Sequence, residues 1–258
     1  MNLLQKKYSN AVICTTNLFP SVLLRQHNLS IDLSWKNSMG NKQLSMAVHQ
    51  IHNKGQARLF KNPILEALTK THPLVIWGMY IPIMGGMIYY SITYFQLTAG
   101  SAVALFFAGM FFWTFFEYIM HRFVYHFVSE NKAIQRFVYL FHANHHEYPR
   151  DTERLFLPPV PSLLIASILF ASMYTVGTLF HITGWVFAFY PGFILGYLLY
   201  ASVHYAIHAW NPPFKWMKPL WRNHQLHHYK QHERGFGVSS TLWDHVFGTM
   251  FEKENESK

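Results

Sequence analysis

Ten of the 17 histidines in this 258-residue chain fall into four groups whose spacing suits metal ligation. His121 and His126 stand five apart, His142, His145 and His146 form H-x-x-H-H, His204 and His208 form H-x-x-x-H, and His224, His227 and His228 repeat H-x-x-H-H. On an α-helix i, i+3 and i+4 share a face, so each H-x-x-H-H is expected to aim three imidazoles at a common point, with His204 and His208 meeting one turn apart. His121 and His126 diverge by about 140° on a regular helix, so they converge only if the helix ends or distorts there. His27, His49, His52, His72 and His181 are isolated and read as ordinary amphipathic interface residues.

Ten imidazoles are too many for one ion, so two metal ions are expected. Cys14 is the single cysteine, which excludes a disulfide scaffold, a thiolate zinc site and an iron–sulfur cluster built within the chain. Zinc has no redox chemistry, and metal-assisted hydrolysis calls for a carboxylate base beside the ion. Glu117, Glu147 and Asp244 are the nearest acids, and none lies in an H-E-x-x-H pattern. Imidazole also suits iron, and a pair of irons can reduce dioxygen to an oxidant able to attack an unactivated C–H bond in a lipid. The expected cofactors are two metal ions, iron in the active form, with dioxygen as co-substrate; the usual affinity order allows zinc in the isolated protein.

The elements that must position these groups belong in a membrane. Hydrophobic residues make up 51% of the chain and charged residues only 13%, and Thr71–Phe116 and Leu155–Phe214 contain no Asp, Glu, Lys or Arg. A span takes about 20 apolar residues, so each run holds two. The expected fold is all-α, with four transmembrane helices in two hairpins: Leu74–Phe95 and Ala102–Ile119 around the turn at Gln96–Gly100, then Val160–Phe180 and Trp185–Tyr205 around His181–Gly184. Pro82, Gly85, Gly86, Pro191 and Gly192 are tolerated inside lipid-embedded helices. An even number of spans puts every charged residue and all four histidine groups on one side, which the positive-inside tendency makes cytosolic, in a bacterial inner membrane or the endoplasmic reticulum. The net charge of +9 then needs no nucleic acid partner. On this topology the glycosylation patterns at Asn28 and Asn255 face the cytosol and stay unused.

Residues 1–57 read as a polar, flexible tail with a weak apolar patch at Ala11–Leu24 and alternative starts at Met39 and Met46. Residues 58–250 form the functional domain, opening with an amphipathic surface helix over Arg58–Glu66, and residues 251–258 are a charged tail.

Several runs together resemble the fatty acid 2-hydroxylase branch of the membrane fatty acid hydroxylase/sterol desaturase superfamily. They are Phe116–Phe123 (FEYIMHRF), His142–His146 (HANHH), Arg154–Pro159 (RLFLPP), His204–His208 (HYAIH), His224–His228 (HQLHH), Gly235–Ser240 (GFGVSS), Trp243-Asp244 and Phe247–Thr249 (FGT). The resemblance spans residues 58–250. It implies a four-helix membrane anchor, a helical cytosolic cap holding a dimetal site, and hydroxylation of a long acyl chain, often that of ceramide, at its 2-position.

This chain departs from the pattern where Ala201 follows Tyr200 and Ala209 follows His208, removing a carboxylate that would orient His204 and a further histidine. His232 and His245 are read as interface residues, spare ligands or proton carriers. Many relatives carry a cytochrome b5 domain with His-Pro-Gly-Gly; here His72-Pro73 continues as Leu74-Val75, so the electron donor is expected to be a separate cytochrome b5-like or ferredoxin-like protein. Its expected landing site is the basic stretch Lys215, Lys218 and Arg222. Trp113, Tyr118, Phe123 and Trp243 are candidate walls of an acyl tunnel. The rival readings are a sterol or carotenoid oxidase of the same superfamily, against which the ending Gly235–Thr249 argues, and a metal transporter, which would place ligands at mid-membrane.

Overall fold

The computed structural model describes residues 51–251, and their regular structure is entirely helical. The patch at 11–24, both alternative starts, Cys14, His27, His49, both glycosylation patterns and the tail from 252 lie outside the described residues. The elements are α1 (Pro63–Ala67), α2 (Pro73–Thr93), α3 (Ala99–Ile119), α4 (Lys132–Val138), α5 (Asn144–Glu147), α6 (Pro159–Leu179), α7 (Thr183–Ala209), α8 (Lys218–Tyr229) and α9 (Leu242–Val246).

Four helices, α2, α3, α6 and α7, are long and apolar enough to cross a membrane. Their ends are set by local chemistry. The His72 ring accepts the Leu74 amide at 3.2 Å just before Pro73, and the Thr98 hydroxyl accepts the Ser101 amide at 3.2 Å at the head of α3. Gln96 and His181 take positive φ (55° and 57°) in the two short turns. Ala99, Gly100, Thr183 and Gly184, expected in those turns, are instead helical.

The hairpins are consecutive in sequence, but α7 holds the bundle together. Protein encloses 56% of its apolar stretch, against 11 to 17% for the other three spans. It packs most extensively on α3, then on α2 and α6, while α2 and α3 touch little. The α3–α7 approach is backbone to backbone: a Cβ on Gly192 would lie 1.8 Å from the Phe106 carbonyl oxygen, and one on Gly109 would lie 2.0 Å from that of Phe189. Small residues allow such contact where lipid supplies no hydrophobic drive for association. Polar pairs add specificity, with Trp77 Nε1 donating to Ser202 Oγ at 3.1 Å and Tyr80 OH bonded to Ser162 Oγ at 2.8 Å.

The surface helix expected over Arg58–Glu66 is corrected to the short α1. The Glu66 carboxylate accepts the amides of Leu59 and Phe60 at 2.9 and 2.8 Å, and Asn62 caps Ile64, so Arg58–Lys61 is pulled into a non-helical loop. Residues 51–57, assigned by composition to the tail, dock through backbone and side-chain bonds that polarity alone does not reveal: His52 N to Glu147 O at 2.7 Å, Ala57 N to Asp151 Oδ2 at 3.1 Å, and Tyr229 OH to Asn53 Oδ1 at 2.7 Å. Arg154 anchors this region, donating to Asp151 at 2.5 Å, to Thr69 at 3.1 Å and to Glu66.

Candidate metal centre

The end of α3 does distort. Met120–Tyr125 forms a π-helical turn in which the His126 amide donates to the His121 carbonyl, five residues back, at 3.3 Å. That i→i+5 register brings residues five apart close to one full turn, and the two rings stand 5.0 Å apart. A second π-helical turn, Tyr139–Ala143, carries His142 into α5, which bears His145 and His146. His204 and His208 close α7, and His224, His227 and His228 line the buried side of α8.

All ten histidines converge, in two sets of five: His121, His126, His142, His146 and His227, and His145, His204, His208, His224 and His228. Within each set one ring nitrogen per residue lies within 4.8 Å of the others. The expectation that each H-x-x-H-H serves one common point is thereby corrected. His142 and His146 pair at 4.6 Å while His145 lies 5.9 and 6.1 Å from them and only 4.4 Å from both His204 and His208. In α8, His224 and His228 pair at 4.5 Å, and His227 turns away to His126, Nε2 to Nε2 at 3.0 Å. Helix geometry explains the exchange: i and i+4 are about 40° apart, whereas i+3 lies about 60° to the other flank of i. Each box thus gives two rings to one set and its middle ring to the other.

The donor chemistry fits a cation in each set. In the first set His142 Nε2 faces His121 Nε2 at 3.1 Å and His146 Nε2 at 2.9 Å; in the second His224 Nε2 faces those of His208 and His228 at 2.9 and 3.0 Å. A neutral imidazole nitrogen carries one proton or one lone pair, so it cannot satisfy two such neighbours, and a shared cation can. Among the described residues, both ring nitrogens of buried His145 lack a hydrogen-bond partner, as does His204 Nε2. His121 and His227 each donate Nδ1–H to a carbonyl, Phe236 O at 2.5 Å and Arg234 O at 2.7 Å, which leaves each Nε2 lone pair directed into the first set. Outside the spans, burial first and then the neighbouring imidazoles hold His126, His142, His145, His146, His224, His227 and His228 well below the ordinary 6.5, in the neutral form that ligation requires.

Other expected residues are placed differently. The Tyr200 ring stacks on His204 at 5.8 Å, so packing restrains that imidazole where a carboxylate was expected and Ala201 stands. The His232 ring is 5.1 Å from that of His146, at the edge of the first set, while His245 is exposed and bonds its own helix at Thr241 O. Of the four candidate tunnel walls, Trp113 packs between Phe193, Tyr197 and Tyr200, in a column that leads to His204. Tyr118 bonds Thr249, Trp243 bonds Thr114, and Phe123 points outward beneath Arg122, so these three serve other contacts. Glu117 and Asp244, two of the acids nearest the histidines in sequence, bond backbone amides and hydroxyls. Sequence reasoning missed the carbonyls of Arg234 and Phe236; their only signal was the glycine pair Gly235 and Gly237 beside them.

A family model for fatty acid hydroxylases matches residues 106–249. The chain is 33% identical over 204 residues to a dihydroceramide fatty acyl 2-hydroxylase of Arabidopsis thaliana, covering 79% of this chain and 84% of that protein. It is 35% identical over 211 residues to the ceramide very long chain fatty acid hydroxylase of Saccharomyces cerevisiae, covering 78% and 53% respectively, and 33% identical to the fatty acid 2-hydroxylase of Mus musculus, covering 78% and 58%. It therefore spans only about half the length of the yeast and mouse relatives. A solved structure of full-length Scs7p in which only the hydroxylase domain is visible superposes with a TM-score of 0.70 at 33% identity, covering 77% of this chain and 74% of that one.

Proposed function

The chain belongs to the fatty acid hydroxylase family, and on that premise we propose that it hydroxylates a long-chain fatty acyl group, free, thioester- or sphingolipid-linked, at the 2-position with dioxygen. The observation that carries this reading is the position of the two histidine sets, at one end of α3 and α7, where the aromatic column of Trp113, Phe193, Tyr197 and Tyr200 meets His204. An acyl chain with its tail in the bilayer and its polar carboxyl end at the interface presents C2, one bond from the carbonyl, at the level of the histidines. Carbons further down the chain lie deeper.

The ten histidines are the proposed ligands, five to each of two ions. Bound there, a pair of iron ions would supply the electron transfer to dioxygen that C–H oxidation needs. The protein's part is to keep ten imidazoles neutral through burial, to fix the tautomers of His121 and His227 through carbonyls, and to hold apolar surface against the acyl chain. The reaction consumes a C–H bond, dioxygen, two electrons and two protons, and yields the alcohol and water. The electrons are assigned to a separate cytochrome b5-like or ferredoxin-like donor. Lys215, Lys218 and Arg222 suit its landing: all three are exposed, and Lys218 and Arg222 lie one turn apart on the face of α8 away from the histidines. We assign this histidine-bearing side to the cytosol.

Lipid mass spectrometry of a heterologous host tests the reading. Expression of the wild-type chain should add 2-hydroxy acyl chains, and His145→Ala should add none. Hydroxylated sterols in their place, or the same 2-hydroxy lipids from the variant, would refute it. Glutamate at all three basic positions should lower turnover at limiting donor and leave metal content intact; an unchanged dependence on donor across ionic strengths would refute the docking site.

A further inference from the structure

Two buried acids stand just outside the histidine sets. Glu117 is 4% exposed and lies one turn before His121 in α3, and Asp244 is fully buried in α9. Both address the same turn. The amides of Val238 and Ser239 donate to Glu117 Oε1 at 2.7 and 2.9 Å, and the Ser239 hydroxyl donates to Oε2. The Phe236 amide donates to Asp244 Oδ1 at 2.9 Å and the Gly237 amide to Oδ2 at 2.8 Å, with the Thr249 hydroxyl on Oδ1 at 2.7 Å. Four consecutive amides therefore end on two carboxyl groups. The fit is close enough that a Cβ on Gly237 would lie 2.0 Å from the Ser240 carbonyl oxygen and 2.8 Å from Asp244 Oδ2. What the clamped turn presents is the Phe236 carbonyl, 2.5 Å from His121 Nδ1.

We propose that Glu117 and Asp244 are positioning residues of the first histidine set, which fix the ring and tautomer of His121 through the Phe236–Ser239 turn by hydrogen bonding. This rests on the reading of the ten histidines as ligands. A partner that holds a ligand's second nitrogen sets the orientation of the first, and its loss typically weakens metal binding 10–100-fold. The two acids differ in a way that can be tested. Both amides at Glu117 share one oxygen, so Glu117→Gln keeps their acceptor and Glu117→Leu removes it. At Asp244 the two amides use both oxygens, so Asp244→Asn must point an N–H at one of them.

The full-length chain, purified in detergent, is titrated with cobalt(II) while its absorption spectrum and melting temperature are recorded for these variants. Trp243→Phe serves as control, since it removes the indole bond to Thr114 Oγ1 from α9 and leaves the turn's clamps in place. Glu117→Gln should bind within about threefold of wild type, whereas Glu117→Leu and Asp244→Asn should weaken one of two sites by about 10–100-fold and alter the spectrum of that ion. Trp243→Phe should lower the melting temperature with no change in spectrum. If Glu117→Leu does not fold, Asp244→Asn carries the test. Wild-type affinity and spectrum in the folded variants, Gln as weak as Leu, or an equal spectral change in Trp243→Phe would each overturn the proposal. A wild-type chain that binds no cobalt would overturn it together with the ligand assignment, whereas an intact wild-type titration with unaffected variants would leave that assignment standing.

Discussion

The exchange of middle histidines between the two H-x-x-H-H boxes makes removal of one proposed ligand a statement about a partner box. His145 shares its set with His228, and His227 does not. The double substitution His145→Ala with His228→Ala should therefore cost one metal per chain, and His145→Ala with His227→Ala should deplete both, as elemental analysis of purified protein would show; equal losses in the two pairs would contradict the division. That these ten residues come together was legible from type and spacing. Their division was not, because spacing places i+3 on a flank without saying which neighbour faces that flank. A second expectation follows from burial. Histidines held well below 6.5 in the fold take up protons in the unfolded chain first. Between the folded and unfolded values the unfolded state binds more protons, so stability of the metal-free protein is intact above about pH 6.5 and falls as pH drops below it, by about 1.4 kcal/mol per pH unit for each such group. Thermal unfolding of chelator-treated protein should show this slope, and a flat profile down to pH 5 would contradict it.

At the scale of elements, the four spans were readable because charge is missing from two long runs, a signal that survives any uncertainty about helix ends. The distortion after α3 was also implied by the five-residue spacing of His121 and His126, and the π-helical turn supplies it. Glycine was read only as tolerated in lipid. The structure divides these residues: nothing lies within 4 Å of a Cβ added to Gly86, whereas one on Gly192 collides with the backbone at Phe106. Gly86→Ala should leave the melting temperature near wild type. Gly192→Val should separate α3 from α7, destabilise by at least the 1–3 kcal/mol typical of overpacking, and lose metal as His121 and His204 part. A Gly192→Val protein that melts like Gly86→Ala would show that the α3–α7 contact is not what holds the bundle. The loop before α1 is not legible in the sequence, because Leu59, Phe60, Ile64 and Leu65 form an amphipathic pattern, and the decisive Glu66 bonds to backbone amides cannot be seen in a hydrophobic pattern.

For the molecule as a whole, four spans put both ends of the domain and every histidine set on one side. Tags at the two termini should show the same protease accessibility in sealed vesicles, and opposite protection would break the common histidine face. That one-sided arrangement, an apolar bundle below and two histidine sets above, is what the proposed oxidation of an acyl chain at its 2-position rests on. The most direct test reconstitutes the iron-loaded chain with a reduced donor, isotopically labelled dioxygen and a long acyl lipid deuterated at C2. The product should carry one labelled oxygen at C2, with one deuterium lost and its partner retained, and zinc-loaded protein should be inactive. Oxygen drawn from water, hydroxylation at another carbon, or equal turnover with zinc would contradict the account.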